Sequence, residues 1–499
     1  MLIKSSNKLL NLLLFILSSI SVIGAISLIP NDFASITKSM FWTLVFLSVF
    51  TYSFIKSKSL RKILLRSGRW IIFIFLILTV CWQFILVKAL SGNTWWDTSI
   101  VARAASGQKN WLGMMYFSYY PNTFYLFRFE KFIFEVLNLS NFKELTTVLN
   151  NINIIVLDLS FIFLINAIRR IFKEKEIAYL VGFFSWILIV LSPYVVIFYS
   201  DTLGFFISSL ILYTLSFFFG NRSILKTYCL CIVLGVLSVI GYFIKPSLVI
   251  AYIALIIVGI LSIAVKRVSV RKNIKFIVAF LLSFGISFSF LQYYQHHNEI
   301  YNIESRMTMP MSHFIVMGMT EKGGYDPQNT KENFDIKDPK KRNQMNIESA
   351  AKKLDEMGPT NYLKFLVIKQ VSNTSDATFG WRNEAQGVGF LIPFENSHDH
   401  FINKIQKIFT SSESGQNWKG YALINQFIWV IVLVGLILSL PLKELKVQFF
   451  KYTVIGGMIF LLIFEGGRSR YLIQFLPYIF VLASLGITNT INVVISKKD

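Results

Sequence analysis

The chain has 499 residues, of which 54% are hydrophobic and 15% are charged. A soluble chain of this length would divide into several domains, and their surfaces would need about 25% charged residues. Disorder is excluded as well, because disordered chains are poor in the aromatic residues that make up 16% of this one. The composition indicates an integral membrane protein, and its formal net charge of +22 needs its own explanation.

About twelve segments are long and apolar enough to cross the hydrocarbon core as helices. They lie at residues 9–29, 36–55, 70–89, 148–168, 177–198, 202–220, 227–243, 247–265, 276–295, 421–440, 450–465 and 471–489. Lys4 and Lys8 precede the first segment as in a cleaved signal, but its apolar run is long and further spans follow. We therefore expect an uncleaved first helix. The predicted fold class is an all-α polytopic membrane protein.

The positive charge is distributed unequally between the two sides of the predicted membrane. With the N-terminus in the cytoplasm, nearly all of the excess Lys and Arg falls in short loops and tails on the cytoplasmic side, as the positive-inside rule requires. Both termini are then cytoplasmic in a multi-pass protein of the plasma membrane. The three cysteines lie in predicted spans, so no disulfide is expected in the outer loops, which suits a bacterial membrane. The lipid bilayer, and no nucleic acid, is the partner that this charge pattern indicates.

The predicted spans divide the chain into five parts. They are N-terminal transmembrane helices at 1–89, a first extracytoplasmic loop with interfacial helices at 90–147, a transmembrane core at 148–295, an extracytoplasmic loop domain at 296–420 and C-terminal transmembrane helices at 421–499.

Two amphipathic segments occur in these outer parts. Residues 122–138 are apolar enough for another span, but Arg128, Lys131 and Glu135 recur at helical spacing. A span there would turn every later basic loop outward, so an interfacial helix is the better interpretation. In the larger loop, residues 350–371 predict a broken amphipathic helix that lies on the membrane.

Charged side chains collect where the predicted spans meet the outer surface. Six of them come from four separate turns: Asp97, Asp201, Lys245, Glu465, Arg468 and Arg470. Charges at the ends of membrane helices are costly and commonly have a task. A carboxylate at this boundary can act as a general base on a hydroxyl, and Arg or Lys beside it can hold a lipid phosphate. Transfer of a sugar from a polyprenyl phosphate needs both groups.

Each residue also has a structural interpretation. Asp201 could cap the helix that follows it, and Lys245 could extend along the apolar surface to the interface. Arg468 and Arg470 could anchor the last turn, although outward Arg opposes the positive-inside rule. Asp158, inside the fourth predicted span, reads as a buried structural partner rather than a site.

The histidine and aromatic residues are weaker indications of a functional site than the charged residues. The segment His398-Asp399-His400 lacks the cysteine support that would favour a metal site, so neither a metal nor a cofactor is expected. Tyr119-Tyr120 and Trp95-Trp96 could stack on a sugar or an isoprenoid, or form an interfacial aromatic belt without further function.

Several of these residues resemble a known family. Asp97, followed by Tyr119-Tyr120-Pro121-Asn122-Thr123 and a Phe-rich helix, resembles the first-loop pattern of GT-C membrane glycosyltransferases. The run from Glu465 to Tyr471, followed by Leu476-Pro477, resembles the ending of the protein mannosyltransferase and lipid A aminoarabinose transferase branch. Four further motifs resemble those of a Gram-positive bacterial subgroup: Tyr199-Ser200-Asp201, Lys245-Pro246-Ser247, Met317-Gly318 and Gly323-Gly324-Tyr325. The resemblance runs from about residue 70 to the end of the chain.

The resemblance implies a lipid-linked donor, typically an undecaprenyl-phosphate monosaccharide, and inverting sugar transfer to an extracytoplasmic glycan acceptor. Asp97 would be the catalytic base or the residue that orients it, with Asp201 assisting. The implied substrate-binding residues are Lys245, Arg468 and Arg470 for the phosphate, Tyr471 for the lipid, and Tyr119, Tyr120 and Asn122.

The chain also departs from the family pattern. Thr98 follows Asp97 where many relatives have a second acid, and Tyr-Tyr-Pro replaces the His-Pro-Pro of protein mannosyltransferases. The second difference argues against a protein O-mannosyltransferase and favours a cell-envelope glycopolymer as acceptor. Two alternatives stay open. A transporter or flippase usually has internal repeats and charges near the midplane, whereas we detect no repeat and, apart from Asp158, the charges cluster at one face. A polymerase or ligase of lipid-linked glycans would use a similar outer loop.

Overall fold

The structure is a computed structural model that describes most of the chain. The described residues are 2–33, 68–94, 96–108, 111–220, 223–265, 270–298, 300–301, 303–320, 322–382, 391–410 and 419–496. The predicted span at 36–55, the basic loop that follows it and Trp95 lie outside these residues.

Eighteen α-helices form within the described ranges. They are α1 (Leu2–Phe33), α2 (Gly68–Leu90), α3 (Asp97–Ala105), α4 (Trp111–Tyr119), α5 (Phe124–Val136), α6 (Phe142–Ile171), α7 (Lys175–Ser185), α8 (Ser200–Ser216), α9 (Ile224–Ile244), α10 (Val249–Ala264), α11 (Val270–His296), α12 (Met311–Met317), α13 (Pro327–Asp335), α14 (Pro339–Thr374), α15 (His400–Phe409), α16 (Lys419–Leu438), α17 (Leu445–Ile463) and α18 (Leu476–Ser496). Two short strands, β1 (Gly92–Asn93) and β2 (Ile392–Pro393), pair antiparallel.

Ten helical segments of the described chain are long and apolar enough to cross a membrane. They are Asn7–Ile29, Phe73–Leu90, Phe142–Ile171, Ser200–Phe219, Ile224–Ile244, Pro246–Ala264, Asn273–His296, Gly420–Leu438, Leu445–Ile463 and Ser469–Ser496. Each coincides with a predicted span, so the prediction of an all-α polytopic membrane protein is confirmed. The first half of α18 is buried on every side and forms the centre of the bundle, as expected for a helix that is apolar all round.

The predicted span at 177–198 is wrong as a single helix. Helix α7 ends at Ser185, a π-helical turn covers Trp186–Val190, and a 3₁₀ turn follows at Pro193–Val196. A proline has no N–H to continue a helix, and Ser192 caps the short turn that Pro193 begins. Side chains from α2 and α6 donate to the carbonyl oxygens of this irregular segment: Trp82 to Leu191, Gln83 to Val190, and Asn153 to Tyr194 and Val195.

Asp158 lies beside the same segment. Its Oδ1 accepts a hydrogen bond of 2.9 Å from Gln83 Nε2, whose amide also contacts the Val190 carbonyl. The side chain therefore joins α6 to α2, which agrees with the interpretation of Asp158 as a structural partner. A carboxylate inside an apolar bundle requires such a donor, because an unpaired one would be costly.

Helix α5 replaces the thirteenth span that residues 122–138 could have formed. Its 13 residues extend about 20 Å, which is too short for a hydrocarbon core of about 30 Å. Lys131 and Glu135 form an ion pair of 2.9 Å along one face, and the Arg128 guanidinium lies 5.4 Å from the centre of the Tyr294 ring on α11. The helix is thus short and amphipathic, as predicted.

Helix α14 is broken within the segment 350–371, as predicted. The break lies at Gly358, whose φ of +62° favours glycine, and Pro359 starts its second half. That half is exposed along Leu363, Val367 and Ile368, but the polar side chains near its end are buried against α1. Gln370 Nε2 and Thr374 Oγ1 both bond to Ser21 Oγ, at 3.1 and 2.7 Å.

Close packing of α16 on α18 depends on glycine. A Cβ at Gly486 would lie 2.2 Å from the backbone oxygen of Gly435, whereas a Cβ at Gly285 on α11 would meet no atom within 4 Å. Small residues allow membrane helices to approach this closely, and overpacking such a contact costs about 1–3 kcal/mol.

We expect Gly486→Val to lower the free energy of unfolding by about 2 kcal/mol relative to Gly285→Val. Both substitutions place the same β-branched residue inside a helix, so their difference isolates the contact between α16 and α18. Reversible unfolding in mixed SDS micelles measures it. Equal midpoints for the two variants would contradict the packing described here.

Candidate functional site

Side chains from α3, α4, α8 and the last turn of the chain lie together, and we call the region that they surround the cleft. Asp97 is the first residue of α3 and is half-buried. The pairing of β1 with β2 fixes the chain just before it. A Cβ at Gly92 would lie 1.9 Å from the Ile392 backbone oxygen, so only glycine fits there. These local contacts fix the backbone that precedes Asp97.

Tyrosine hydroxyls surround the Asp97 carboxylate. Tyr199 Oη donates to Oδ2 at 3.5 Å, and Tyr116 also forms a hydrogen bond with Asp97. Burial, and then the charge of Asp97, raises the pKa of both tyrosines well above the ordinary value. Their hydroxyls therefore keep their protons and act as donors to the carboxylate.

Asp201 is the centre of a buried ion cluster. Its side chain is 1% exposed, Lys245 Nζ pairs with Oδ1, and Arg470 Nε lies 3.6 Å from Oδ2. Lys245 is extended at the end of α9 because it precedes Pro246, and a residue before proline is pushed out of the helical region. Three segments far apart in sequence are thus joined at one carboxylate.

The structure does not support Asp201 as the cap of α8. The residue before that helix is Tyr199, whose backbone N–H donates to Thr202 Oγ1 at 3.4 Å. Asp201 lies in the first turn, where a negative charge also interacts favourably with the helix dipole. Its carboxylate oxygens point at the two cations rather than at the N-terminal N–H groups.

Arg470 connects the ion cluster to the Asp97 segment. Its guanidinium carbon lies 4.0 Å from the centre of the Trp96 ring and 5.2 Å from that of Tyr471. The Trp96 ring in turn packs edge-on against Tyr199 at 5.1 Å. Stacking on an aromatic face orients a guanidinium while it keeps its charge. The two predicted carboxylates and one predicted arginine therefore belong to one contiguous group.

The last turn adds a third carboxylate. Tyr471 Oη donates to Glu465 Oε1 at 2.9 Å, and Arg468 lies half-buried between these residues in sequence. Removal from water raises the pKa of Glu465, while Arg468 and the hydrogen bond from Tyr471 act in the opposite direction. Sequence reasoning placed Glu465 in a motif but gave it no role in a site.

Lys369 holds this turn against the large loop. Its Nζ donates to the carbonyl oxygens of Gly318, Leu462 and Phe464, and Asn373 Oδ1 accepts from the Gly467 N–H at 2.6 Å. We call this arrangement the Lys369 clasp. The Gly466 N–H also donates to the Gly323 oxygen at 2.8 Å, so the motifs at 317–318 and 323–325 are brought to the cleft.

Not every predicted residue points into the cleft. Tyr120 lies near both Asp97 and Glu465: burial raises its pKa, and the charges of these two carboxylates raise it further. Tyr119 instead packs its ring 4.2 Å from that of Phe334 on α13. Asn122 is half-buried in the 3₁₀ turn Pro121–Thr123, and within the described part of the chain no hydrogen bond joins its side chain to Asp97.

Sequence reasoning missed Tyr116, Lys369 and Asn373. Lys369, Gln370, Asn373 and Thr374 do recur on one face of α14, which is a weak sign that this face is buried among polar partners. The segment at 398–400 has a simple structural role, because Asp399 caps α15 through the N–H groups of Phe401 and Ile402.

The Asp201 cluster gives a stability prediction. Lys245→Met should lower the free energy of unfolding by about 3–5 kcal/mol, because it removes one partner of a buried ion pair. Asp201→Asn with Lys245→Met should cost at least 1 kcal/mol less than the sum of the single variants, by the order of coupling seen for contacting pairs. A double-mutant cycle of unfolding in mixed micelles measures this coupling, and strict additivity would contradict the cluster.

Comparison with known proteins gives one match. A family model described as "Conserved hypothetical integral membrane protein" matches residues 3–491. No curated protein and no solved structure matches the chain.

Proposed function

The chain belongs to this family of conserved hypothetical integral membrane proteins, and we propose that it is a membrane glycosyltransferase with a GT-C-like fold. It would move a sugar from a polyprenyl-phosphate donor to an extracytoplasmic acceptor, a cell-envelope glycopolymer. One observation carries the proposal. The Arg470 guanidinium stacks on the ring of Trp96, the residue that directly precedes the half-buried Asp97. In sequence, 373 positions separate Asp97 from Arg470.

Asp97 is suited to the role of general base. Two tyrosine hydroxyls hold its carboxylate in a fixed orientation, and it is only half-buried, so an acceptor hydroxyl can reach it. The acceptor oxygen attacks C1 of the sugar and loses its proton to Asp97. The bond from C1 to the phosphate oxygen breaks, and its electron pair leaves with the phosphate. Because the attacking oxygen enters opposite the leaving phosphate, the configuration at C1 inverts.

The cations of the last turn are suited to the leaving phosphate. Arg470 and Lys245 lie 5.2 and 5.6 Å from the centre of the Tyr471 ring, and Arg468 directly precedes the same turn. The phosphate gains negative charge as the bond to the sugar breaks, and fixed cations stabilise that charge. Asp201 orients Lys245 and Arg470 in this scheme, so it is a positioning residue rather than a base.

The distribution of basic residues predicts on which side of the membrane the cleft lies. The basic loops predict a cytoplasmic position for the opposite end of the bundle, so the cleft opens to the outer surface and both termini are cytoplasmic. The lipid tail of the donor would lie along the apolar surface beside Tyr471, and Tyr120 would contact the sugar. A bacterial plasma membrane supplies such a donor as an undecaprenyl-phosphate monosaccharide.

Asp97→Asn should lower sugar transfer by at least about 10³-fold while the protein remains folded, because the amide cannot accept the proton. The assay uses the purified chain in lipid vesicles with radiolabelled hexoses carried on undecaprenyl phosphate. Glu395→Gln is the control, since Glu395 is an exposed carboxylate paired with Lys143. Unimpaired turnover by the Asp97 variant would remove this residue from the mechanism.

A deletion strain tests the reaction class itself. Loss of one side-branch sugar from the cell-envelope glycan would support sugar transfer and identify donor and acceptor together. An unchanged sugar composition with glycan retained on the cytoplasmic side would instead indicate a transporter. Shortened chains of otherwise normal repeating units would indicate a polymerase or ligase.

Arg468→Met should raise the KM for the donor by about 10–100-fold and change kcat less, because the guanidinium holds the phosphate before and during the reaction. Arg306→Met is a matched control, since Arg306 is exposed and pairs with Glu304. Steady-state kinetics with varied undecaprenyl-phosphate sugar separate the two constants. A purely lower kcat at unchanged KM would contradict this role for Arg468.

A further inference from the structure

A small cavity with polar and apolar lining residues lies behind the first turn of α3, between α5 and α6. It has a volume of about 20 Å³, which is room for roughly one guest the size of a water molecule and not for a sugar. Six polar side chains line it: Thr94, Thr98, Ser99, Glu130, Thr146 and Asn150. The cavity is therefore too small to hold the proposed sugar substrate, although Thr98 and Ser99 directly follow Asp97.

Glu130 is the charged group of this cavity. It is 1% exposed on α5, and neither carboxylate oxygen has a hydrogen-bond partner among the described residues. Burial raises its pKa well above the ordinary value. Thr98 Oγ1 is also buried without a partner within the described part of the chain. Three buried oxygen atoms of residues that line one small cavity thus have no protein donor among the described residues.

The other lining groups also present oxygen. Thr94 Oγ1 and Ser99 Oγ lie 2.9 Å apart, and Asn150 directs its amide nitrogen to Ser91 Oγ at 2.9 Å. Among the described residues, no Lys, Arg or His lines the cavity. An ionised carboxylate in such a place needs a positive partner, because an isolated buried charge costs many kcal/mol.

We propose that the cavity binds a single alkali-metal cation, with Glu130 as its charged ligand and the hydroxyl oxygens of Thr98 and its neighbours completing the site. A set of oxygen ligands without nitrogen or sulfur selects a hard cation. One carboxylate neutralises one positive charge. Among the described residues, Glu130 belongs to no group of three or more His, Cys, Asp or Glu, such as an ion of higher charge would favour. The small volume favours Na⁺ over K⁺.

The ion would fix the segment that carries Asp97. Thr98 lies in the first turn of α3 and Glu130 lies on α5, so a shared cation joins these two helices. Neither Asp97 nor the other charged side chains of the cleft line the cavity. The proposed cation site at Glu130 therefore does not depend on whether the chain transfers sugars.

The test measures thermal stability of the full chain in detergent, with NaCl, KCl or choline chloride at one ionic strength. Saturating Na⁺ should raise the midpoint of unfolding by at least about 3 °C over choline, with a smaller rise for K⁺. Glu130→Gln should lose this rise. Glu135→Gln should keep it, because Glu135 is exposed on the same helix and pairs with Lys131.

A second variant protects the test against misfolding of Glu130→Gln. Thr98→Val keeps the shape of the side chain and removes one ligand oxygen, so the Na⁺ concentration for half of the stabilisation should rise about tenfold. Equal midpoints of the unchanged protein in all three salts would overturn the proposal, as would a Na⁺ effect that survives Glu130→Gln. A salt-independent midpoint that falls as the pH is raised would indicate a protonated Glu130 instead, and would overturn it too.

Discussion

The buried carboxylate of Asp201 constrains the whole cleft. At 1% exposure it cannot remain charged without partners, and it obtains them from the turn after α9 and from the last turn before α18. Removal of either cation would leave a charge in an apolar bundle, so the three segments are held together. Arg470 extends this constraint to Trp96, and thereby to Asp97. The position of the proposed base therefore depends on an ion pair formed by residues that it does not touch.

A second constraint comes from the backbone. Irregular chain inside a membrane protein must find hydrogen-bond partners, because lipid offers none. Gln83 and Asn153 supply them to the broken segment after α7, and the Lys369 clasp supplies them to the turn before Arg468. These polar side chains are buried because they replace the bonds that a regular helix would have made. These carbonyl oxygens of the irregular segments therefore have hydrogen-bond donors, as those inside the helices do.

Much of this architecture could be predicted from the sequence, because apolar length is a local property of the chain. The same holds for the grouping of Asp97, Asp201, Lys245 and Arg470, since each follows a predicted span on the same side. The roles of Lys369 and Glu130 could not be predicted. Each lies on an amphipathic helix with other charged residues, and only packing decides which of them is buried. The break after α7 was missed because its apolar run continues through Pro193.

The residues that form the cleft lie far apart in sequence, and this affects how the protein assembles in the membrane. Helices enter a membrane in the order of their synthesis, yet Asp201 and Lys245 precede Arg470 by more than 200 positions in the printed sequence. Until the last two helices are inserted, the carboxylate has one cation instead of two, and the Lys369 clasp has no turn to hold. A nascent chain released before residue 462 would thus possess most of its membrane helices, but neither Arg470 nor the turn that the Lys369 clasp holds. Quality control by membrane proteases has a clear target in such a chain, namely a polar surface that the missing C-terminal hairpin would have covered.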